Sequence, residues 1–160
     1  MAGPDGLRSF RDPLPEGVDF EFDRPMPFWE EVVEARPALG RPPWEPFEDG
    51  PAEMAYWYRL DSPPLLDDGS LDPAAVIVLC DTMPGAVGQK LGPDSGSWFG
   101  PSADFTLHLL GPARPGWLLA HNTARHAGDG YASVDMALWD PLDRTLVAYA
   151  TQMMFFAFDA

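Results

Sequence analysis

Asp72-Pro73-Ala74-Ala75-Val76-Ile77-Val78-Leu79-Cys80-Asp81-Thr82-Met83-Pro84 is the stretch on which the fold turns. Asp72 is a good N-cap, and Pro73 sits at the first helical position, where its missing N–H costs nothing. The residues from Ala74 to Cys80 are apolar on every side, and a helix apolar all round is a buried helix. The same run is β-branched, so periodicity alone fits a strand as well; the cap and the proline select the helix. Pro84 and Gly85 stop it.

Downstream, after a Gly/Pro/Ser loop over residues 92–101, come four strand candidates: Ser102–Leu110, Trp117–His126, Tyr131–Trp139 and Leu146–Phe156. Short turns join them (Gly111-Pro112, Gly128-Asp129-Gly130 and Asp140-Pro141-Leu142-Asp143), and short connections predict antiparallel neighbours. Upstream the chain is broken by prolines. Residues 1–16 read as a flexible extension and 17–160 as one domain. Val18–Asp23 alternates apolar and acidic, which predicts a short strand. Residues 27–35 fit one or two helical turns, and the Pro-rich segment that follows, through Pro51, reads as connection. Met54–Leu60 is aromatic and β-prone. A buried helix followed by an antiparallel meander implies α+β architecture, one sheet wrapped around a central helix. A single curved sheet leaves the back of that helix open, so a second copy or a partner is expected.

Composition narrows the function. The chain has 160 residues, enough for one domain with a real core, and 46% of them are hydrophobic, as in folded proteins. Twenty-five acids stand against 10 bases, a net charge of −15, and Lys90 is the only lysine. Residues 1–80 hold 17 of the acids and 6 of the bases, and residues 81–160 hold 8 and 4. Such a surface repels polyphosphate, which argues against a nucleic-acid partner. One cysteine, Cys80, excludes an internal disulfide framework and fits a reducing compartment. The first fifteen residues carry no legible signal peptide. The longest strongly apolar run, Ala74–Cys80, is far below the roughly 20 residues that a spanning helix needs. The expectation is a soluble cytoplasmic protein with no membrane partner.

Three polar residues stand where chemistry is plausible. Asp81 follows the apolar helix at its C-terminal end, where the helix dipole gives a carboxylate no help; the plain alternative is a solvated helix-end Asp. Gln152 interrupts the apolar run Ala148–Phe156, and an amide that donates and accepts at once suits holding a water or a carbonyl; the alternative is an outward-facing strand residue. Ser102 opens its strand, with Asp104 and Thr106 at period two on the same face; it can orient a water or merely cap a turn.

The remaining patterns are weaker. By their odd separation His121 and His126 fall on opposite faces of one strand, and Asp104 and His108 stand about 13 Å apart along another, so neither makes a couple. No spacing of Cys, His and carboxylates gives a metal site, and none is expected. There is no nucleophile elbow, dinucleotide fingerprint or phosphate loop, and no cofactor is expected. Met153, Met154, Phe155, Phe156 and Phe158 read as core, interface or the lining of an acyl tunnel.

Read together, these segments resemble the acyl-CoA thioesterase II-type family, which is built from hot-dog domains. Pro73–Pro84 resembles the hot-dog helix that carries the family's catalytic aspartate before a proline-containing turn. Ser102–Leu109 resembles the next strand, whose first hydroxyl residue is catalytic. Trp117–Leu119 with Thr123–Gly130 resembles the following strand and Gly turn. Leu138–Asp140, Leu146–Ala148 and Gln152 resemble the closing hairpin, whose glutamine is catalytic. The resemblance covers residues 55–156. It implies a single hot-dog fold, with Asp81, Ser102 and Gln152 holding a hydrolytic water. Family members usually carry two hot-dog domains in one chain, and this chain resembles the second. Ser stands here where Thr is commoner.

The resemblance implies hydrolysis of an acyl thioester, linked to CoA or to a carrier protein, by a homodimer or with a partner hot-dog domain. The alternative is a non-catalytic hot-dog subunit that binds an acyl or polyketide-like ligand. A hydratase or cyclase on the same fold ranks last, because the familiar hydratase motif, with Asp and His in one short loop, is absent. The net charge of −15 works against binding CoA by charge alone, since only Lys90, Arg114, Arg125 and Arg144 lie in the half that carries the proposed site.

Overall fold

The structure, a computed structural model, describes residues 3–19, 27–42, 44–46, 48, 50–91, 98–155 and 157–158. Among them are strands β1 (Val33–Leu39), β2 (Glu53–Leu60), β3 (Trp98–Phe99), β4 (Ser102–Leu109), β5 (Leu118–Gly128), β6 (Tyr131–Asp140), β7 (Thr145–Phe155) and β8 (Ala157–Phe158), and helices α1 (Pro73–Cys80) and α2 (Gly85–Gly88). Six strands form one antiparallel sheet in the order β1-β2-β5-β6-β7-β4, and β3 pairs with β8.

The helix forms for the reasons legible in its sequence. Asp72 accepts a hydrogen bond from the Ala74 amide at 2.8 Å, and Pro73 opens the first turn. Ala75, Val76, Leu79 and Cys80 are buried. Val76, Leu79 and Cys80 pack in one core with Tyr56, Tyr58, Leu118, Val134, Met136, Leu138 and Met154 from the inner face of the sheet. Truncating Leu79, 1% exposed, to Ala would cost about 2–5 kcal/mol. The helix is not buried all round, however. Ile77 and Val78 are 44% and 48% exposed, because a single sheet covers only one side.

Three other expectations change. The helical reading of residues 27–35 is half right: Phe28–Val32 is a π-helical turn, and from Val33 the chain is strand. Val33 and Ala35 are fully buried, and Pro37 is tolerated because β1 lies at the sheet edge and its register slips there. Part of the presumed Pro-rich connection is therefore structural. Val18 and Asp19 carry no strand, and Phe20–Asp23 lie outside the described residues. Finally, β4 does not neighbour β5. It pairs with β7 at the opposite edge, and the chain over 110–117 crosses the end of the sheet. Buried Ala113 anchors that crossing by accepting from the Leu71 amide at 2.8 Å, just before α1.

The segment preceding β1 makes definite contacts. The Phe10 amide donates to Ala35 O, and the Phe10 ring meets Trp29, Trp44 and Tyr56. Arg11 pairs with Asp61, and Arg36 donates to Pro4 O. No helix among the described residues is long and apolar enough to cross a membrane.

Candidate functional site

The three polar residues picked from sequence meet at one point. Gln152 lies on β7 between the buried Ala150 and Met154, on the inner face, and is itself 3% exposed. Its Nε2 donates to Asp81 Oδ1 at 3.2 Å and to Ser102 Oγ at 2.5 Å. A carboxylate only accepts, so the Asp81 contact fixes the NH2 toward Asp81 and Ser102. Oε1 is then buried with no partner among the described residues. A buried amide oxygen left unpaired costs about 1–3 kcal/mol, so it marks a place for a donor. Asp81 and Ser102 are both exposed, and the site opens outward.

A β-bulge aims Ser102. The β4–β7 register slips between Ser102 and Asp104: Ser102 stands opposite Met154, whereas Asp104 stands opposite Met153 and Thr106 opposite Thr151. The slip puts Ser102 on the inner face and leaves Asp104 and Thr106 on the other, where Thr106 donates to Asp104. The expectation that all three share a face is thereby corrected. Bulges re-aim side chains in this way. Because Ser102 Oγ accepts from Gln152, its own proton is left to point elsewhere.

Asp81 is held from behind by residues that sequence reading missed. Its amide closes α1 by donating to Ile77 O. Thr82 Oγ1 lies 3.0 Å from Tyr58 Oη and donates to Leu79 O at 2.8 Å. Its single proton being so used, the Tyr58 hydroxyl is the donor of that pair. Tyr58 is fully buried, and burial raises its phenol well above its ordinary value. The Tyr58–Thr82 bond thus clamps the turn that presents Asp81. Burial, with the neighbouring Asp81 charge, pushes the Cys80 thiol up to about 12. It stays protonated near neutrality and offers no thiolate nucleophile.

The histidines lie apart from this point. A bulge between Ala124 and His126 undoes their parity: His121 and His126 stand opposite Ala137 and Ser133, both on the outer face of β6. Those positions are four residues apart, about 13 Å along a strand. His121 Nε2 contacts Glu53 Oε1 at 2.6 Å instead. Among the described residues no group of three His, Cys, Asp or Glu side chains is placed to hold a metal ion. Asn122, fully buried on β5, has neither amide atom paired among the described residues.

The arrangement of sheet and helix is shared with solved structures. A conserved protein of unknown function with hot dog fold from Alicyclobacillus acidocaldarius superposes with a TM-score of 0.69 at 24% identity. The match covers 100% of this chain and 54% of that one, so this chain spans about half its length. A Streptococcus mutans UA159 protein bound to acetyl CoA matches at TM-score 0.57 and 20% identity, over 70% of this chain and 86% of that one. A hypothetical thioesterase with coenzyme A from Streptococcus pneumoniae TIGR4 matches at 0.58 and 17%, over 78% and 90%. These likenesses establish the α+β hot-dog fold. No curated protein matches the sequence. The model of the acyl-CoA thioesterase C-terminal domain, by contrast, matches residues 4–156, and the chain belongs to that family.

Proposed function

We propose that the chain hydrolyses acyl thioesters with a water held by Asp81, Ser102 and Gln152. The observation that carries this is the single Gln152 amide bonded to both Asp81 and Ser102, with its buried carbonyl unpaired. Membership of a thioesterase domain family supports it. In this reading the water donates one proton to Gln152 Oε1 and loses the other to Asp81 as its oxygen attacks the thioester carbonyl. Ser102 Oγ–H orients the reacting group. Backbone N–H groups near the helix end stabilise the oxyanion. Collapse of the tetrahedral intermediate breaks the C–S bond, and the departing thiolate recovers the proton from Asp81. No acyl-enzyme forms, in keeping with a sequence that lacks a nucleophile elbow.

The site works as part of a pair of hot-dog domains, from a second copy of this chain or a separate partner. The exposed Ile77 and Val78 face of α1, beside an outward-opening Asp81 and Ser102, supports this. A thiol-release assay on short-, medium- and aryl-acyl-CoA thioesters tests the activity. Release by the parent, abolished in Asp81→Ala, is expected. Equal release by the two proteins overturns the assignment of Asp81. No release from any ester, with saturable acyl-ligand binding, would instead make the chain a binding subunit.

A further inference from the structure

Asn122 on β5 is fully buried, and neither its Oδ1 nor its Nδ2 has a partner among the described residues. It stands on the inner face of the sheet. Ala120 and Ala124 flank it along its own strand, and Met54 and Met136 face it from the neighbouring ones. A buried amide with both halves unpaired costs stability, and a leucine of similar size would fill the same place without that cost. Packing therefore gives no reason for an amide here. The surroundings can admit a guest: the alanines are short, and methionine is unbranched and adapts its shape. Ala124 and Val87 also wall a cavity of about 650 Å³ beside α2, so free volume reaches the position next to Asn122.

The sheet register ties Asn122 to the Asp81–Ser102–Gln152 cluster. Ala124, Val134 and Gln152 form one row across β5, β6 and β7, and Asn122, Met136 and Ala150 form the next. Two strand spacings across and one residue pair along put Asn122 about 12 Å from Gln152. Both are inner-face amides with a buried atom unpaired, and the positions between them in the two rows are apolar. An acyl group with its carbonyl at Gln152 and its chain directed toward the cavity brings a far carbon to Asn122. The chemistry at that carbon follows from the amide. Asparagine offers a donor and an acceptor together; a hydroxyl does the same and can meet it, whereas a methyl end leaves it unpaired. A carboxylate would be buried among Ala and Met side chains without a cation. We propose that Asn122 selects acyl groups that carry a hydroxyl at the far end of a medium-length chain. The inference rests on the thioesterase reading and names the substrate class of that site.

Calorimetric titration of the intact protein with decanamide and ω-hydroxydecanamide tests it. Their uncharged heads imitate the thioester carbonyl without repulsion from Asp81. The parent should bind the hydroxylated amide about tenfold tighter, as a hydrogen bond to an otherwise unpaired buried group warrants. In Asn122→Leu the order should reverse, because the hydroxyl then meets an apolar wall. Asn122→Ala, which repeats the residue at Ala120 and Ala124, gives the same reading should leucine fail to pack: the preference should disappear. In thiol release, ω-hydroxydecanoyl-CoA should exceed decanoyl-CoA in kcat/KM by a similar factor for the parent alone. Equal binding of the two amides by the parent overturns the proposal, as does a preference for the plain one. A hydroxyl preference that survives the substitution of Asn122 overturns it too. The two readings fail separately. A hydroxyl preference in binding without thioester hydrolysis removes the hydrolase and keeps the Asn122 contact, whereas hydrolysis without that preference removes only the role of Asn122.

Discussion

The two edges of the sheet are treated differently. At the β1 edge the chain closes on itself. Phe10 bonds the strand backbone, and Glu34 binds Arg36 and Arg59 at 2.7 and 2.5 Å. Both guanidinium groups lie under 5 Å from the Trp117 ring centre, at 4.9 and 4.7 Å. At the β4 edge Leu109 and Leu110 are about half exposed (50 and 56%), as are Phe99 on β3 and Ile77 and Val78 on α1. Exposed apolar strand edges invite pairing, and proteins usually blunt them. Here one edge is covered with charge and aromatic rings, while the edge that carries Ser102 leaves Leu109 and Leu110 exposed beside the polar Asp104, Thr106 and His108. The contrast separates a region that completes the fold from one whose apolar side chains stay uncovered.

If that division is right, turnover depends on the β4 side. Asp81→Ala should lower kcat for acyl-CoA hydrolysis by about 10²–10⁴-fold, the usual worth of a general base. Asp61→Ala, which breaks an ion pair with Arg11 at the closed edge, should leave kcat within about twofold, as exposed pairs are worth little. Comparable losses in both would erase the distinction. Gln152→Ala comes next, with a loss of about 10²-fold, since it releases Asp81 and Ser102 together. Ser102→Thr should retain most turnover and Ser102→Ala should not.

Assembly sharpens the comparison further. Ile77→Asp should shift the native mass toward a monomer and depress activity, with little change in circular dichroism. A parent that already runs as an active monomer would sink the pairing. Tyr58→Phe should cost about 1 kcal/mol of stability in urea and lower kcat with KM nearly unchanged, because it loosens only the clamp on Asp81.

The smallest effect is expected from acid. Burial works to raise the Glu34 value, but hydrogen bonds and charge from Arg36 and Arg59 more than offset it, so it lies below 4.5. Asp140 is likewise held below 3.8 despite burial, by Arg114 and the Leu142 amide. Groups lowered in the folded state contribute stability that is complete above their unfolded values and is lost as pH falls through the folded ones. The Tm should therefore hold from neutral to about pH 5 and fall below about pH 4, and Glu34→Gln should flatten that fall.

Much of this was legible in the residues. The Asp72 cap and Pro73 announced α1, the β-prone aromatic run announced β2, and runs bounded by short turns announced β4 to β7, because those signals are local. The β1 strand hid behind Pro37, a residue that reads as a strand breaker yet is harmless on an edge. The place of β4 beside β7 was hidden because a short connection suggests a neighbour, and only the packing of Ala113 shows the crossing. Asp81, Ser102 and Gln152 were found as residue types out of place. Tyr58 was not, since a tyrosine in an aromatic strand looks like core until its hydroxyl is seen on Thr82.

The bulge after Ser102 makes the site depend on residue count as well as residue type. Each position added or removed between Ser102 and Asp104 swings one hydroxyl to the opposite face of the sheet. Loss of the single residue Ala103, a change that removes no functional group, should therefore disarm the site more completely than exchange of Ser102 for Thr. Length at this joint is under the same constraint as identity, and relatives that keep the hydroxyl but differ there by one residue should prove inactive.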